Sequence, residues 1–295
     1  MTTPRVVVVI RPTEYDELLA RHGTRGQVDF FLRSRGQDVV EVLDRHARTA
    51  AALEVVRAAV PIEWRSATVK RAELARFVFE PADVVVILGQ DGLVANVAKY
   101  LQGQPVIGVD PLPARNAGVL VPHQPQAVPD LLADVVAGRA AYVHRTMAQV
   151  TTDDGQRLDA LNEIYVGHEG HQSARYVLAA DGARERQSSS GILIGTGTGA
   201  TGWCASIGRV LAPHLPLPHP DERALSWFVR EAWPSRSTRT TLVAGRLDGE
   251  SGLALTSESE QLVAFGDGME SDRLLLGWGQ QVTVEVSPLV LRTVI

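Results

Sequence analysis

The chain has a single cysteine, Cys204, among 295 residues, so no internal disulfide framework can form and a reducing compartment suits it. Aromatic residues make up only 5%. Charge is sparse as well. Only 21% of residues are charged, and 29 Lys and Arg face 34 Asp and Glu, a formal net charge of −5. Without a basic field a nucleic-acid partner is disfavoured. Long apolar runs are also missing. The run Val6 to Ile10 is too short for a signal-peptide core, and no later stretch approaches the roughly twenty apolar residues of a membrane span. There is no convincing internal repeat. These absences predict a soluble, cytoplasmic protein with no membrane partner.

What is present is apolar residues, at 45%, and 26 glycines. That suffices for a large core, divided between two domains. Val6 to Ile10 and Val84 to Leu88 read as strands buried on both faces, as in a parallel sheet. Further strands are expected at Val39 to Leu43, Ile62 to Ser66 and Val106 to Val109. Helices are expected at Glu14 to Gly23, Val28 to Arg35, Thr49 to Val60, Arg71 to Phe79 and Leu93 to Leu101. This alternation predicts an N-terminal parallel α/β domain. Prolines crowd the stretch from Pro111 to Pro129, which marks a domain junction. Beyond it, a helix is expected at Val128 to Ala137.

Alternation with period two then takes over at Tyr142 to Val150, Leu158 to Val166, Ser173 to Ala180, Leu242 to Gly245 and Gly252 to Thr256. The pairs Asp154-Gly155, Asp181-Gly182 and Asp248-Gly249 favour tight hairpins, because glycine accepts positive φ. The second half therefore reads as antiparallel and β-rich, with one helix expected at Glu222 to Ala232.

Four segments carry candidate chemistry. Gly195 to Gly202 holds four glycines and three threonines after the strand-like Ile192-Leu193-Ile194. Such density lets backbone N–H groups approach an anion, and a helix from Trp203 would aim its positive end there. The stretch Gly197 to Gly202 matches G-x-G-x-x-G formally. A proline-rich segment follows its helix where a dinucleotide fold would return a strand, so that fingerprint is set aside and nucleotide or phosphate binding is kept. Gly89-Gln90-Asp91-Gly92 follows a buried strand, so Asp91 reads either as a general base at a ligand cleft or as a helix cap. Asn162 and Glu163 lie in an alternating run and would point to opposite faces. His168 and His171 have no third metal ligand, and Cys204 reads as a packed helical thiol.

Taken in order, these motifs resemble the NAD kinase family. Gly89-Gln90-Asp91-Gly92 resembles its G-G-D-G-T loop, Asn162-Glu163 its N-E pair, and Gly191 to Thr201 its D-G-x-x-x-x-T-P-T-G-S-T loop. The T-G-T-G form followed by Trp203, Ile107 to Pro111 with Arg115 and Gly118-Val119-Leu120, and the ending Leu291 to Ile295 resemble the mitochondrial-type branch. The resemblance implies a Rossmann-like α/β domain over 1–122, a β-sandwich-like domain over 123–280, and a last strand, 281–295, returning toward the first domain.

It also implies phosphoryl transfer from ATP or polyphosphate to the 2′-hydroxyl of the adenosine ribose of NAD, with Mg²⁺ or another divalent metal, in a homodimer or homotetramer. Asp91 would be the base. Gly89, Gln90 and Gly92 would hold donor phosphates. Asn162, Glu163, Ser190, Thr198, Thr201, Gly202, Trp203 and Ser206 would bind the acceptor; no metal ligand is assigned. Three positions depart from the pattern: Gln90 replaces a glycine, Leu93 a threonine, and Ser190 an aspartate. Two alternatives stay open: a kinase of the same fold for a nucleoside or sugar, and a catalytically weak NAD(P)-binding regulator.

Overall fold

The computed structural model describes residues 4–113, 118–180, 182–249 and 251–295. Arg115, and Asp181 of the Asp181-Gly182 pair, lie outside them. The chain divides into two compact units. The first comprises residues 1–97, 104–143 and 292–295; the second comprises 98–103 and 144–291.

The first unit begins with β1 (Arg5–Ile10), followed by helices α1 (Glu14–His22), α2 (Arg25–Arg33) and α3 (Val39–Ala58). Then come β2 (Arg65–Lys70), a 3₁₀ turn at Arg71–Arg76, β3 (Val84–Leu88), α4 (Asp91–Ala98), β4 (Pro105–Val109) and α5 (Val128–Val136). The strands pair in parallel in the order β2-β1-β3-β4, and Arg292 and Thr293 of the last strand add beside β4. β1 and β3 are continuous β-branched runs because helices and strands cover them; Val6, Val8, Val84, Val86 and Leu88 pack with Ala52, Val56 and Leu132. Strand order reverses between β1 and β3, the kind of switch point that opens a crevice at the strands' carboxyl ends.

The expected strand at Val39 to Leu43 is instead the start of α3. Asp38 caps it by accepting a hydrogen bond from the Val40 N–H. Val39 and Val42, three apart, are buried while Val40 is exposed, a helical rather than an alternating pattern. The Ile62 strand begins later, at Arg65, and the Arg71 helix is only a 3₁₀ turn.

The second unit holds two antiparallel layers. One contains β5 (Tyr142–Thr152), β6 (Arg157–Ala160), β8 (Ala174–Ala180), β9 (Ala183–Ser189), β13 (Leu253–Ser257) and most of β16 (Gln281–Val294). The other runs β12 (Ala244–Asp248), β11 (Ala224–Val229), β10 (Ile192–Gly195), β7 (Glu163–Gly167), β14 (Gln261–Gly266) and β15 (Met269–Gly277), with α6 (Trp203–Leu211) following β10. Ile164, Val166, Ile192, Ile194 and Trp227 of the second layer meet Tyr176, Leu178, Leu255 and Val284 of the first in one core.

The helix expected at Glu222 to Ala232 is β11. All six residues from Ala224 to Val229 are buried, and β10 and β12 flank the strand on either side. Asp248-Gly249 does not close a hairpin either. Gly249 has φ +62, but β12 and β13 on either side of it belong to different layers.

Candidate active site

In the first unit, the loop after β3 carries Gly89, Gln90, Asp91 and Gly92 at the carboxyl edge of the parallel sheet. The Gly89 N–H donates to the Val109 carbonyl at 3.0 Å, tying the loop to β4. Asp91 opens α4, but its carboxylate does not cap that helix. Oδ2 accepts from the Val119 N–H at 3.1 Å and Oδ1 from the Leu120 N–H at 2.9 Å. That segment approaches β4 closely, since a Cβ on Gly108 would fall 1.9 Å from the Leu120 carbonyl oxygen. A carboxylate has about four lone-pair sites, so each Asp91 oxygen keeps one for a ligand.

Gln90 and Gly92 are exposed, and nothing lies within 4 Å of a Cβ built on Gly92. Leu93 is only 2% exposed and packs toward Gly89. The residue replacing the family's threonine is therefore a core side chain here, and Gln90 is the departure that faces outward. Beside the loop lies a cavity of about 710 Å³ whose walls include Arg11, Arg45, His46, Gly89, Gln90 and Asp110.

In the second unit, the run from Leu158 to Val166 is two strands with a break at Leu161-Asn162, so Asn162 is not on a strand face opposite Glu163. Asp267 makes that break. It sits in the hairpin turn between β14 and β15 at φ +54, followed by Gly268 at φ +65. Its carboxylate accepts from the N–H groups of Leu161 at 2.8 Å, Asn162 at 2.6 Å and Glu163 at 3.4 Å. Its own N–H donates to the Glu163 carbonyl at 3.0 Å. Burial pushes the Asp267 carboxyl up to about 6, against the opposing pull of these donors and of Lys99. Burial, and then the charge of Asp267, pushes Glu163 up to about 7.

Glu163 therefore favours its neutral form in the fold more than in the unfolded chain. The stability this brings is fully present below the ordinary carboxyl pKa and is lost as pH rises through about 7. Glu163→Gln is expected to raise the melting temperature at pH 8 relative to wild type, with little gain at pH 4.5. After allowance for partial exposure the difference is about 1–3 kcal/mol. Paired thermal melts at the two pH values check it; an equal gain at both would contradict the assignment.

The glycine-rich loop works differently from a phosphate cradle. Thr196 is its keystone: Oγ1 donates to the Leu161 carbonyl at 2.5 Å and accepts from the N–H groups of Thr198 at 3.1 Å and Gly199 at 3.3 Å. The Thr196 N–H donates to the Asn162 carbonyl at 2.9 Å. The N–H groups of Thr196, Thr198, Gly199 and Gly202 are thus used within the protein. The glycines admit the protein's own atoms. A Cβ would lie 2.2 Å from Cys204 Sγ at Gly195, 2.0 Å from the His219 carbonyl oxygen at Gly197, and 2.2 Å from the Asn162 carbonyl oxygen at Gly199.

Gly199→Ala is therefore expected to lower the melting temperature by about 5 °C or more, from overpacking worth about 1–3 kcal/mol. Gly92→Ala should leave it unchanged. Thermal melts of the two variants decide it.

Thr196 thus ties Leu161 and Asn162 to Thr198 and Gly199, while Glu163 pairs with Gly195 across β7 and β10. Thr198 Oγ1 is buried and has no hydrogen-bond partner among the described residues, which leaves it a hydroxyl to offer. A second group forms around Trp203, which is 37% exposed. The Tyr165 ring stacks on it at 6.0 Å and 14°, and the Arg230 guanidinium lies 5.2 Å from its centroid. The Tyr165 hydroxyl donates to the Ser190 carbonyl at 3.0 Å, and Phe265 packs against the Tyr165 ring. Thr201, Gly202 and Ser206 are exposed around the first turn of α6. Cys204 is buried, its thiol pushed up to about 12, chiefly by burial.

Sequence reasoning missed Tyr165, Arg230 and the anchoring role of Asp267. Tyr165 was findable, two residues from Glu163 and so on the same strand face. Arg230, which follows β11, was hidden by the helical reading of that segment.

No family model matches the chain. Among curated proteins it is similar to the NAD kinase of Ralstonia nicotianae, 32% identical over 143 residues, 45% of this chain and 46% of that one. The NAD kinase of Cupriavidus pinatubonensis is 27% identical over 231 residues, 73% and 70% of the two chains. Human mitochondrial NAD kinase 2 is 26% identical over 257 residues, 70% and 58%. The match thus spans about half of the Ralstonia relative and more of the others.

Among solved structures, yeast NADH kinase complexed with NADH superposes with a TM-score of 0.61 at 15% identity, covering 100% of this chain and 84% of that one. An Archaeoglobus fulgidus NAD kinase in complex with ATP gives 0.58 at 17%, covering 98% and 92%. The structural likenesses share the fold, α/β unit followed by β-rich unit. The chain is thus similar to NAD kinases along most of its sequence and shares the fold of the two solved kinases.

Proposed function

We propose that the protein is an NAD kinase-like phosphotransferase, moving a phosphoryl group from a phosphoanhydride donor to the 2′-hydroxyl of the adenosine ribose of NAD. The observation that carries the proposal is Asp91, a carboxylate on the loop after β3 at the sheet's switch point, in a chain similar to NAD kinases. A bond forms between the ribose oxygen and the terminal phosphorus, the donor's bridging P–O bond breaks, and Asp91 takes the hydroxyl proton. Base catalysis of this kind contributes about 10²–10⁴-fold, and positioning and charge stabilisation supply most of the rest.

Two hydrogen bonds hold the Asp91 carboxyl plane, so the free lone pairs keep a fixed direction. The second unit carries candidate acceptor contacts of its own. Asn162 and Glu163 and the Thr198 hydroxyl offer polar contacts; Trp203, backed by Tyr165, offers an aromatic ring. Near neutral pH Glu163 is poised between a donating and an accepting form.

Among the described residues no three His, Cys, Asp or Glu converge on one point. Mg²⁺ keeps several of its waters and is carried on substrate phosphates with one or two carboxylates. When bound it would neutralise charge on the transferred group, and Asp110 at the cavity wall is a carboxylate that could reach it. Cytoplasmic location and a homodimer or homotetramer complete the proposal. Among the described residues no helix is long and apolar enough to cross a membrane.

The test is a coupled assay that reads NADP with an NADP-specific dehydrogenase. NADP should accumulate from NAD, ATP and Mg²⁺. Binding of NAD by a folded protein with no NADP formed would reject the kinase reading.

A further inference from the structure

A second cavity of the first unit, about 580 Å³, lies between α1 and α2. It shares no residue with the cavity beside Gly89 and Gln90. Its walls include Arg21 from the last turn of α1, Gln27, Phe30 and Phe31 of α2, and Ser34 and Arg35 just beyond that helix. The volume falls within the range of about 300–1,000 Å³ that suits one small-molecule ligand.

No carboxylate lines it, in a chain whose formal net charge is −5. Arg33, nearby on α2, is taken up by Asp29 at 2.9 Å, but Arg21 and Arg35 make no ion pair among the described residues. Arg35 is held in place by other means. Its guanidinium lies 3.9 Å from the Phe31 ring centroid. Its Nη1 donates to Ser34 Oγ at 3.4 Å, and that hydroxyl donates to the Phe31 carbonyl at 2.8 Å. Its backbone N–H donates to the Leu32 carbonyl at 2.9 Å, and Gly36, at φ +69, closes the turn behind it. A guanidinium stacked in this way keeps edge N–H groups free and loses little freedom when an anion arrives.

The aromatic side is equally built. Phe31 is backed by the His22 ring at 4.3 Å and by the cluster of Leu18, Val28 and Leu32. Phe30 is left 77% exposed. Gln27 Oε1 accepts from the Thr24 hydroxyl at 3.3 Å, which leaves its NH₂ group to donate.

We infer that this cavity binds a small aromatic phosphomonoester, with the phosphate between Arg21 and Arg35 and the ring against Phe30. The inference does not rest on the kinase reading. A phosphomonoester carries about −1.5 to −2 charge at pH 7 and three strong acceptor oxygens, which match two guanidinium forks and the Gln27 amide. A carboxylate brings one charge and two oxygens to the same donors. Inorganic phosphate would leave most of the cavity and the Phe30 ring uncovered. An aromatic ring gains by burial and by offset or edge-on contact with Phe30.

Isothermal titration of the full chain with 1-naphthyl phosphate tests the site. Three probes each lack one feature: 1-naphthoate, 1-naphthol and inorganic phosphate. Naphthyl phosphate is expected to bind at one site, and each of the others at least about 10-fold more weakly. Arg21→Glu with Arg35→Glu, at exposed positions, should weaken naphthyl phosphate at least about 100-fold. Phe30→Ser, a neutral change on the surface, should weaken it about 2–10-fold. Arg25→Glu, exposed on α2 but outside the cavity, should stay within about two-fold of wild type. All these variants should melt near wild type.

Unchanged affinity in the double variant or in Phe30→Ser would place the ligand elsewhere and overturn the site. An equal loss in Arg25→Glu would reduce it to diffuse surface charge. Equal binding of 1-naphthoate would overturn the choice of phosphate, and equal binding of inorganic phosphate the need for a ring. NADP formation enters none of these readouts, so their failure leaves the kinase reading untouched.

Discussion

Asp91→Asn is expected to lower the rate of NADP formation about 10²–10⁴-fold, the contribution of a positioned base. The variant should still fold. Asparagine keeps one oxygen to accept from either Val119 or Leu120, but its amide NH₂ then faces the other N–H. That leaves one backbone donor unpaired, at a cost of about 1–3 kcal/mol at most, since Val119 is exposed and water reaches it. A drop of a few degrees in melting temperature should accompany the loss of turnover, with the KM for NAD nearly unchanged. Near-full turnover would remove Asp91 from the chemistry. A collapse of the fold would mean that its role is to hold the segment 118–120.

The second large effect is on stability. Asp267→Ala is expected to cost about 3–5 kcal/mol, which for a chain of this size lowers the melting temperature by about 10 °C. Two causes add. Alanine must adopt φ near +54, a left-handed conformation that costs about 1 kcal/mol. The N–H groups of Leu161, Asn162 and Glu163 also lose their common acceptor in a partly buried turn. Asp267→Asn accepts the turn conformation more readily and keeps one oxygen, so it should fall between wild type and alanine. NAD binding should weaken in the same order, because the lost bonds position Asn162 and Glu163. An alanine variant melting within 2 °C of wild type would show that Asp267 does not anchor this turn.

Which parts of the fold were legible in the sequence follows from burial. β1 and β3, sandwiched on both faces, announce themselves as unbroken β-branched runs. α3 did not, because Val39-Val40-Glu41-Val42 satisfies a strand pattern as well as a helical one. The cap at Asp38 decides between them. β11 was misread for a related reason: a short apolar run buried on both sides has no periodicity to separate helix from strand. Asp-Gly pairs marked positive-φ glycines at Gly155 and Gly249, but only pairing shows that Asp248-Gly249 links two layers.

Among the proposed site residues, Asp91, Asn162 and Glu163 were singled out by their resemblance to NAD kinase motifs, whereas the glycine-rich loop stood out by composition. What the glycines accommodate did not. Density in the chain cannot distinguish a ligand's phosphate from the carbonyls of Asn162 and His219, which are distant in sequence. The Asp267 anchor was hidden for the same reason, lying about a hundred residues from the turn it holds.

The most direct measurement is the product itself. The purified protein, incubated with NAD, ATP and Mg²⁺, should yield a species one phosphoryl group heavier than NAD. Its new ³¹P resonance should belong to a 2′-phosphomonoester on the adenosine ribose, and the Asp91→Asn protein should yield almost none. Unchanged NAD beside intact ATP would contradict the assignment as a kinase of NAD. A phosphate on any other hydroxyl would contradict the assignment of the acceptor.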